Sequence, residues 1–110
     1  MRLLVIVGTL GLLSWAPLPE DAGGTPKPRT HTVVIEATAF TPQRLTVAAG
    51  DTVVWVNKDP FPHTATGEGK AFDSGTIEAG KSWKHAVRSK GRIEYVCAFH
   101  PTMTGILTVE

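Results

Sequence analysis

Short runs of β-forming residues, separated by glycine-containing turns, fill the sequence from Thr30 onward and constrain its fold more than any other feature. These runs are typical of strands, because they are rich in β-branched and aromatic residues and mostly alternate between apolar and polar side chains. Their predicted bounds are 32–36, 44–47, 52–57, 72–77, 82–88, 92–97 and 106–109. The sequence shows no long helical pattern. The regular spacing of strands and turns predicts an all-β protein with an antiparallel sandwich.

Three segments of different composition divide the chain. The apolar run 3–13 follows a basic residue and is too short to span a bilayer, but it has the length of a signal-peptide core. We predict that residues 1–22 are a signal peptide or, if they are not cleaved, a membrane tether through residues 3–18. Residues 23–29 contain two glycines and two prolines without apolar periodicity, which predicts a linker. Residues 30–110 then form the folded domain.

The predicted leader indicates export, so we expect the domain in the periplasm or on the outer face of the membrane. In that setting Cys97, the single cysteine of the sequence, cannot form an internal disulfide. It therefore pairs between chains, stays inert in the core, or binds a ligand. The formal net charge of +1 indicates no nucleic-acid partner, and we expect a monomer.

Three candidate metal ligands, Cys97, His100 and Met103, follow one another at intervals of three residues. This interval does not suit a continuing strand, because residues three apart face opposite sides of a sheet. Pro101 disfavours a helix. We therefore predict a loop that leaves the strand at Cys97 and brings the three side chains together. His63 is the best candidate for a further ligand, since the two prolines just before it favour an extended loop.

Two imidazoles, a thiolate and a weak thioether form the ligand set that copper favours for electron transfer, whereas zinc seldom uses methionine. Taken singly, each residue has an ordinary explanation, since a loop histidine is usually solvated and a methionine usually fills the core. No packing requirement explains the whole set. Of the remaining histidines, we expect His31 to be exposed and without function, and His85 to be a core histidine hydrogen-bonded to the backbone.

Several segments of the sequence resemble the cupredoxins, specifically the plastocyanin and amicyanin group of blue copper proteins. The segments are 50–57, 62–64, 72–75, 95–97 with His100, Pro101 and Met103, and 105–109. The resemblance implies a Greek-key β-sandwich of about seven to eight strands. It also implies that His63, Cys97 and His100 hold one Cu(I)/Cu(II) ion. Met103 is then the distant axial ligand.

The resemblance implies a single-electron carrier and not an enzyme. Redox partner proteins are expected to dock transiently near His100, on an apolar collar formed by Phe61, Phe99 and Pro101. Family members often carry asparagine after the first histidine and a hydroxyl residue after the cysteine, and these bond the two ligand loops together. This sequence has Thr64 and Ala98 there, so we expect that polar link to be altered.

Two alternatives to the electron carrier use the same residues. A copper-delivery module would bind the ion through the same ligands but pass it to another protein without redox cycling. A copper oxidase or a nitrite reductase would need additional histidine clusters, which the sequence lacks.

Overall fold

The computed structural model describes Gly8, Gly11 and residues 27–110, and its folded part is an all-β sandwich. The strands are β1 (Thr30–Glu36), β2 (Ala39–Thr41), β3 (Arg44–Val47), β4 (Thr52–Asn57), β5 (Thr66–Gly67), β6 (Ser82–Ala86), β7 (Gly91–Cys97) and β8 (His100–Val109). A short 3-10 turn at Glu68–Lys70 follows β5. The predicted fold class is confirmed.

The leader prediction for residues 1–22 lies outside the described residues, as does most of the predicted linker. Among the residues that the structure describes, no helix is long and apolar enough to cross a membrane.

The eight strands form two four-stranded sheets, ordered β2-β1-β4-β6 and β3-β8-β7-β5. Two of the pairings, β1 with β4 and β3 with β8, are parallel, so both sheets are mixed and the antiparallel expectation is wrong for these pairs. The reason is the path of the chain, which changes sheet after β2, β3, β4, β5 and β6. Turn spacing alone predicts where a strand ends and does not show which sheet the next strand joins.

The strand bounds predicted for β3 and β4 are confirmed, but the segment 72–77 forms no continuous strand. It makes two isolated bridges instead, Thr66 with Asp73 and His63 with Ile77. The sequence also gave no signal for β2 and β5, since strands of three and two residues are too short to show alternation.

The core lies between the sheets and is built around Trp55. Its ring centroid lies 5.3 Å from Phe72, 5.5 Å from Trp83 and 5.6 Å from Tyr95. Tyr95 packs directly on Gly105 of the neighbouring strand, where a β-carbon would collide with the tyrosine ring. Two residues beyond Tyr95, on the same inward-facing row of β7, the strand ends at the buried Cys97. The packing of the inward-facing side chains of β7 therefore places Cys97 at the edge of the core.

Candidate metal centre

Three side chains converge at the end of β7, and they are His63, Cys97 and His100. Their ligand atoms all lie within 4.8 Å of one another. The Cys97 Sγ atom is 3.7 Å from His63 Nδ1 and 3.8 Å from His100 Nδ1. Typical protein bonds to a metal such as zinc, about 2.0 Å from nitrogen and about 2.3 Å from sulfur, would separate N and S by roughly 3.7 Å if they met at about 120°. The three donors therefore fit one shared ion.

The ligand-bearing segment after Cys97 is a tight hairpin turn and not the loop predicted from the sequence. Only Ala98 and Phe99 form the turn, and β8 begins at His100, which pairs with Cys97. The register then shifts between Val96 and Cys97. Pro101 has no N–H and so cannot donate a hydrogen bond to the neighbouring strand. A register shift in a pair of strands changes the direction in which the side chains point. Ligands three residues apart can therefore converge at the end of a sheet.

Met103 is buried, with 4% of its surface exposed, on the inward-facing row of β8. The regular part of the ladder pairs Tyr95 with Gly105 and Val96 with Thr104. Extended by one residue, this register would set Met103 opposite Cys97, and opposite side chains are close neighbours. The burial and the register are consistent with the predicted axial ligand, which stays a prediction.

A carboxylate that sequence reasoning missed contacts the candidate ligand His63. The His63 side chain is fully buried, and its Nε2 atom lies 2.8 Å from Asp59 Oδ2. Burial would raise the pKa of the Asp59 carboxyl, but hydrogen bonds from the Thr38 N–H, from His63 and from the Ala37 N–H together hold that pKa below its ordinary value. The signal in the sequence is an acidic residue four positions before a ligand histidine, because ligand histidines commonly bond a carboxylate through the other ring nitrogen.

Asn57, also missed as a site residue, organises the loop that carries His63. Its Nδ2 atom donates to Phe61 O at 2.8 Å and to Ile77 O at 2.9 Å, and its Oδ1 atom accepts from the Asp59 N–H at 2.9 Å. The alternation of β4 places Asn57 on the inward row, where a buried amide needs hydrogen-bond partners. That position is the signal by which its role could have been found.

A polar link joins the two candidate ligand segments, although Thr64 and Ala98 stand where the resemblance led us to expect asparagine and a hydroxyl residue. The Thr64 N–H donates to Cys97 Sγ at 3.3 Å, and the Thr64 hydroxyl accepts from the Ala98 N–H at 2.8 Å. The link needs only a backbone N–H at position 98, so an alanine there does not abolish it. Hydrogen bonds therefore still join the two segments.

The other two histidines differ from expectation. His31 is only partly exposed, and its Nε2 atom lies 2.8 Å from Asp51 Oδ2. His85 is half-buried and stacks on Trp83, with ring centroids 5.4 Å apart. Burial lowers the pKa of His85. It is only half-buried because β6 is the edge strand of its sheet, where the inward-facing side chains are partly covered.

A family model described as a cupredoxin-like domain matches residues 3–109. The chain belongs to the cupredoxin-like family. An amicyanin from Paracoccus versutus is 31% identical over 84 residues, which cover 71% of this chain and 63% of that protein. A plastocyanin from Scenedesmus fuscus is 30% identical over 87 residues, which cover 67% of this chain and 89% of that protein.

Solved structures support the same fold. A mutant amicyanin in its oxidised state aligns with a TM-score of 0.70 at 24% identity, over 74% of this chain and 82% of that one. A copper-containing nitrite reductase from Thermus scotoductus aligns with a TM-score of 0.69 at 27% identity, over 78% of this chain but only 23% of that one. The likeness to the enzyme is therefore limited to one part of it.

The cofactor of this cupredoxin-like chain is one copper ion. The donor set supports this identification independently of the family, since two imidazole nitrogens and one thiol sulfur suit copper and converge on one point.

Proposed function

We propose that this protein is a single-electron carrier, with one mononuclear type 1 copper site that exchanges electrons with redox partner proteins outside the cytoplasm. The observation that carries the proposal is the convergence of His63, Cys97 and His100 within 4.8 Å. Met103 completes the proposed ligand set as a weak axial donor. A bound copper ion would supply the chemistry by alternating between Cu(I) and Cu(II).

The residues around the ligands keep the donors in place. The backbone N–H of Thr64 donates to Cys97 Sγ, and Asp59 holds the far side of the buried His63 ring. A site whose donors are fixed by the fold rearranges little when the charge of the ion changes, which keeps the barrier to electron exchange small. This rigidity favours an electron carrier over a copper-delivery module, which must release its ion.

The proposed route for electrons is the His100 ring, because it is the exposed ligand. Phe61 and Phe99 are large apolar side chains that remain 63% and 51% exposed, and Pro101 is exposed as well. Exposed apolar groups beside a polar site are typical of surfaces that bind partners. We propose that partner proteins dock on this apolar collar as transient complexes with a monomer of this chain.

The proposed location, in the periplasm or on the outer face of the membrane, rests on the apolar run 3–13 and its basic flank. A cleaved signal peptide and a retained tether both agree with it. An enzymatic role is not proposed, because residues 27–110 bring together a single cluster of three candidate metal ligands drawn from His, Cys, Asp and Glu, and the electron-carrier role needs no more.

Voltammetry combined with metal analysis tests the function. We expect reversible one-electron cycling with copper retained in both states. Release of the ion to a copper-accepting protein during the same cycles would support the delivery module instead.

The docking surface is tested by electron self-exchange between reduced and oxidised copies, measured by NMR line broadening. Phe99→Glu should slow the exchange at least tenfold, since like charges would meet at the contact. Thr46→Glu is the matched control, because Thr46 pairs with Thr108 near the other end of β8 from His100. Equal rates in the two variants would place the contact elsewhere.

A further inference from the structure

We propose that Asp59, held by the backbone of the β1–β2 turn, is a positioning residue that fixes which nitrogen of His63 faces the metal and favours the oxidised site. The meaning for redox chemistry rests on the proposed function, whereas the choice of ring nitrogen is a property of the chain itself.

The β1–β2 turn is built to bind a carboxylate. Glu36 pairs with Ala39, so only Ala37 and Thr38 connect the two strands. Both residues have positive φ, 52° and 56°, a conformation that side-chain-bearing residues seldom adopt but that a two-residue hairpin turn of this type requires. Their N–H groups donate to Asp59 Oδ1 at 2.7 Å and Oδ2 at 2.9 Å. Consecutive N–H groups directed at one anion form an anion-binding nest.

The bound carboxylate determines the hydrogen position on His63. An ionised carboxylate can only accept hydrogen bonds, so the Nε2 atom of His63, 2.8 Å from Asp59 Oδ2, must carry the hydrogen. In the neutral ring, the form that binds a metal, the Nδ1 atom is then left with a free lone pair. That lone pair is on the nitrogen 3.7 Å from Cys97 Sγ, on the side where the donors converge. Asp59 therefore prepares His63 as a ligand before any metal binds.

The charge of Asp59 should also affect the oxidation state of the site. The side chains of His63 and Asp59 are 0% and 8% exposed, so solvent screens the carboxylate poorly. A negative charge one imidazole ring away from the metal stabilises Cu(II) more than Cu(I), because Cu(II) carries the larger positive charge. The carboxylate should therefore lower the reduction potential.

The test is Asp59→Asn, which keeps the size of the side chain and removes the charge. Loss of a partner bonded to a ligand histidine commonly changes metal affinity tenfold or more. We expect Cu(II) affinity to fall about tenfold relative to Cu(I) affinity, equivalent to a rise of about 59 mV in the potential. Glu36→Gln is the matched control, because it removes an exposed carboxylate next to the same turn and should leave the potential unchanged. Asp59→Glu keeps the negative charge, so its reduction potential should lie close to that of the wild type.

A second measurement needs no copper. Nitrogen-15 NMR of the metal-free protein in mildly alkaline buffer should show hydrogen on Nε2 of His63. The hydrogen should redistribute toward Nδ1 in Asp59→Asn. If that variant does not fold, the wild-type spectrum decides, since hydrogen on Nδ1 there would overturn the inference. An unchanged potential in a folded, blue Asp59→Asn protein would overturn it too. A wild-type protein without a blue band would instead defeat the proposed function and leave the NMR result standing.

Discussion

The two segments that carry the candidate copper ligands hold them in opposite ways. The β4–β5 connection buries His63 completely and ties its loop through the side chains of Asn57 and Asp59. The β7–β8 turn leaves His100 exposed on a two-residue turn. The two segments therefore have different roles. The β4–β5 connection fixes the position of His63, and the β7–β8 turn presents His100 to partner proteins.

The thiol of Cys97 joins the two segments. It is buried, lies within 4 Å of the Nδ1 atoms of both histidines, and receives the Thr64 N–H. The polar link between Thr64 and Ala98 then holds the turn against the buried loop. An exposed ligand can therefore remain in position without being buried itself.

The largest expected effect is that of Cys97→Ser, which removes the thiol that lies between His63 and His100. An alcohol is neither readily deprotonated nor soft enough to replace a thiolate, so the blue absorption should disappear completely. Visible spectroscopy after copper loading is the measurement, with circular dichroism to confirm the fold. Retention of the band in this variant would exclude Cys97 as a ligand.

The contrast between the two histidines is tested by His63→Gly and His100→Gly with added imidazole. Imidazole from solution should enter the gap at exposed position 100 and restore most of the blue band. At position 63, which has no solvent exposure, the same concentration should restore little. Equal rescue of both variants would show that the two ligand segments do not differ as described.

Asn57→Ala tests how strongly the buried loop depends on its amide. The substitution leaves the Phe61 carbonyl and the Asp59 N–H without the Asn57 amide, and it removes one of two hydrogen bonds to the Ile77 carbonyl, which still accepts from the His63 N–H. The free energy of unfolding should therefore fall by about 2–3 kcal/mol. Urea denaturation of the metal-free protein measures this. Gln43→Ala removes only long, exposed hydrogen bonds and should change stability by no more than about 0.5 kcal/mol. Similar losses in the two variants would contradict the role of Asn57.

Met103→Leu should leave copper bound and raise the reduction potential. Removal of a weak electron donor destabilises Cu(II) more than Cu(I), while leucine preserves the packing of a buried thioether. Voltammetry with metal analysis checks both parts. A lowered or unchanged potential would assign Met103 to packing alone.

The smallest effect on the site is expected from Asp51, which lies beside His31, away from the ligand segments. Hydrogen bonds from the Arg29 N–H, His31 and the Ala48 N–H lower the pKa of Asp51 from 3.8 to about 2. Because the folded-state pKa is depressed, the ionised group stabilises the fold above about pH 3.8 and loses this contribution as the pH falls toward 2. The stability advantage of wild type over Asp51→Asn should shrink across that range, and the reduction potential should not change. A shifted potential would show that this region is coupled to the site.

Much of the fold could be predicted because β4 and β7 alternate clearly and their turns contain glycine. The parallel pairing of β1 with β4 could not, since it depends on chain crossings between sheets and not on local residue preference. The segment 72–77 has strand-like composition but forms only isolated bridges, so tertiary context determined its conformation.

The candidate ligands could be named from chemistry, because Cys97, His100 and Met103 stand at equal intervals in a segment that Pro101 prevents from being helical. Their assignment as ligands stays a prediction. Asp59 and its contact with the β1–β2 turn could not be predicted in the same way. Asp59 follows Thr38 by 21 positions and Ala37 by 22 positions in the sequence, and no spacing rule predicts a contact at that separation.

The visible absorption spectrum of the copper-loaded, oxidised protein shows whether Cys97 binds copper in the proposed site. A thiolate bound to Cu(II) in the proposed site should give an intense blue band that appears with one equivalent of copper and disappears on reduction. A colourless Cu(II) complex at the same stoichiometry would show that the thiolate of Cys97 does not bind the ion.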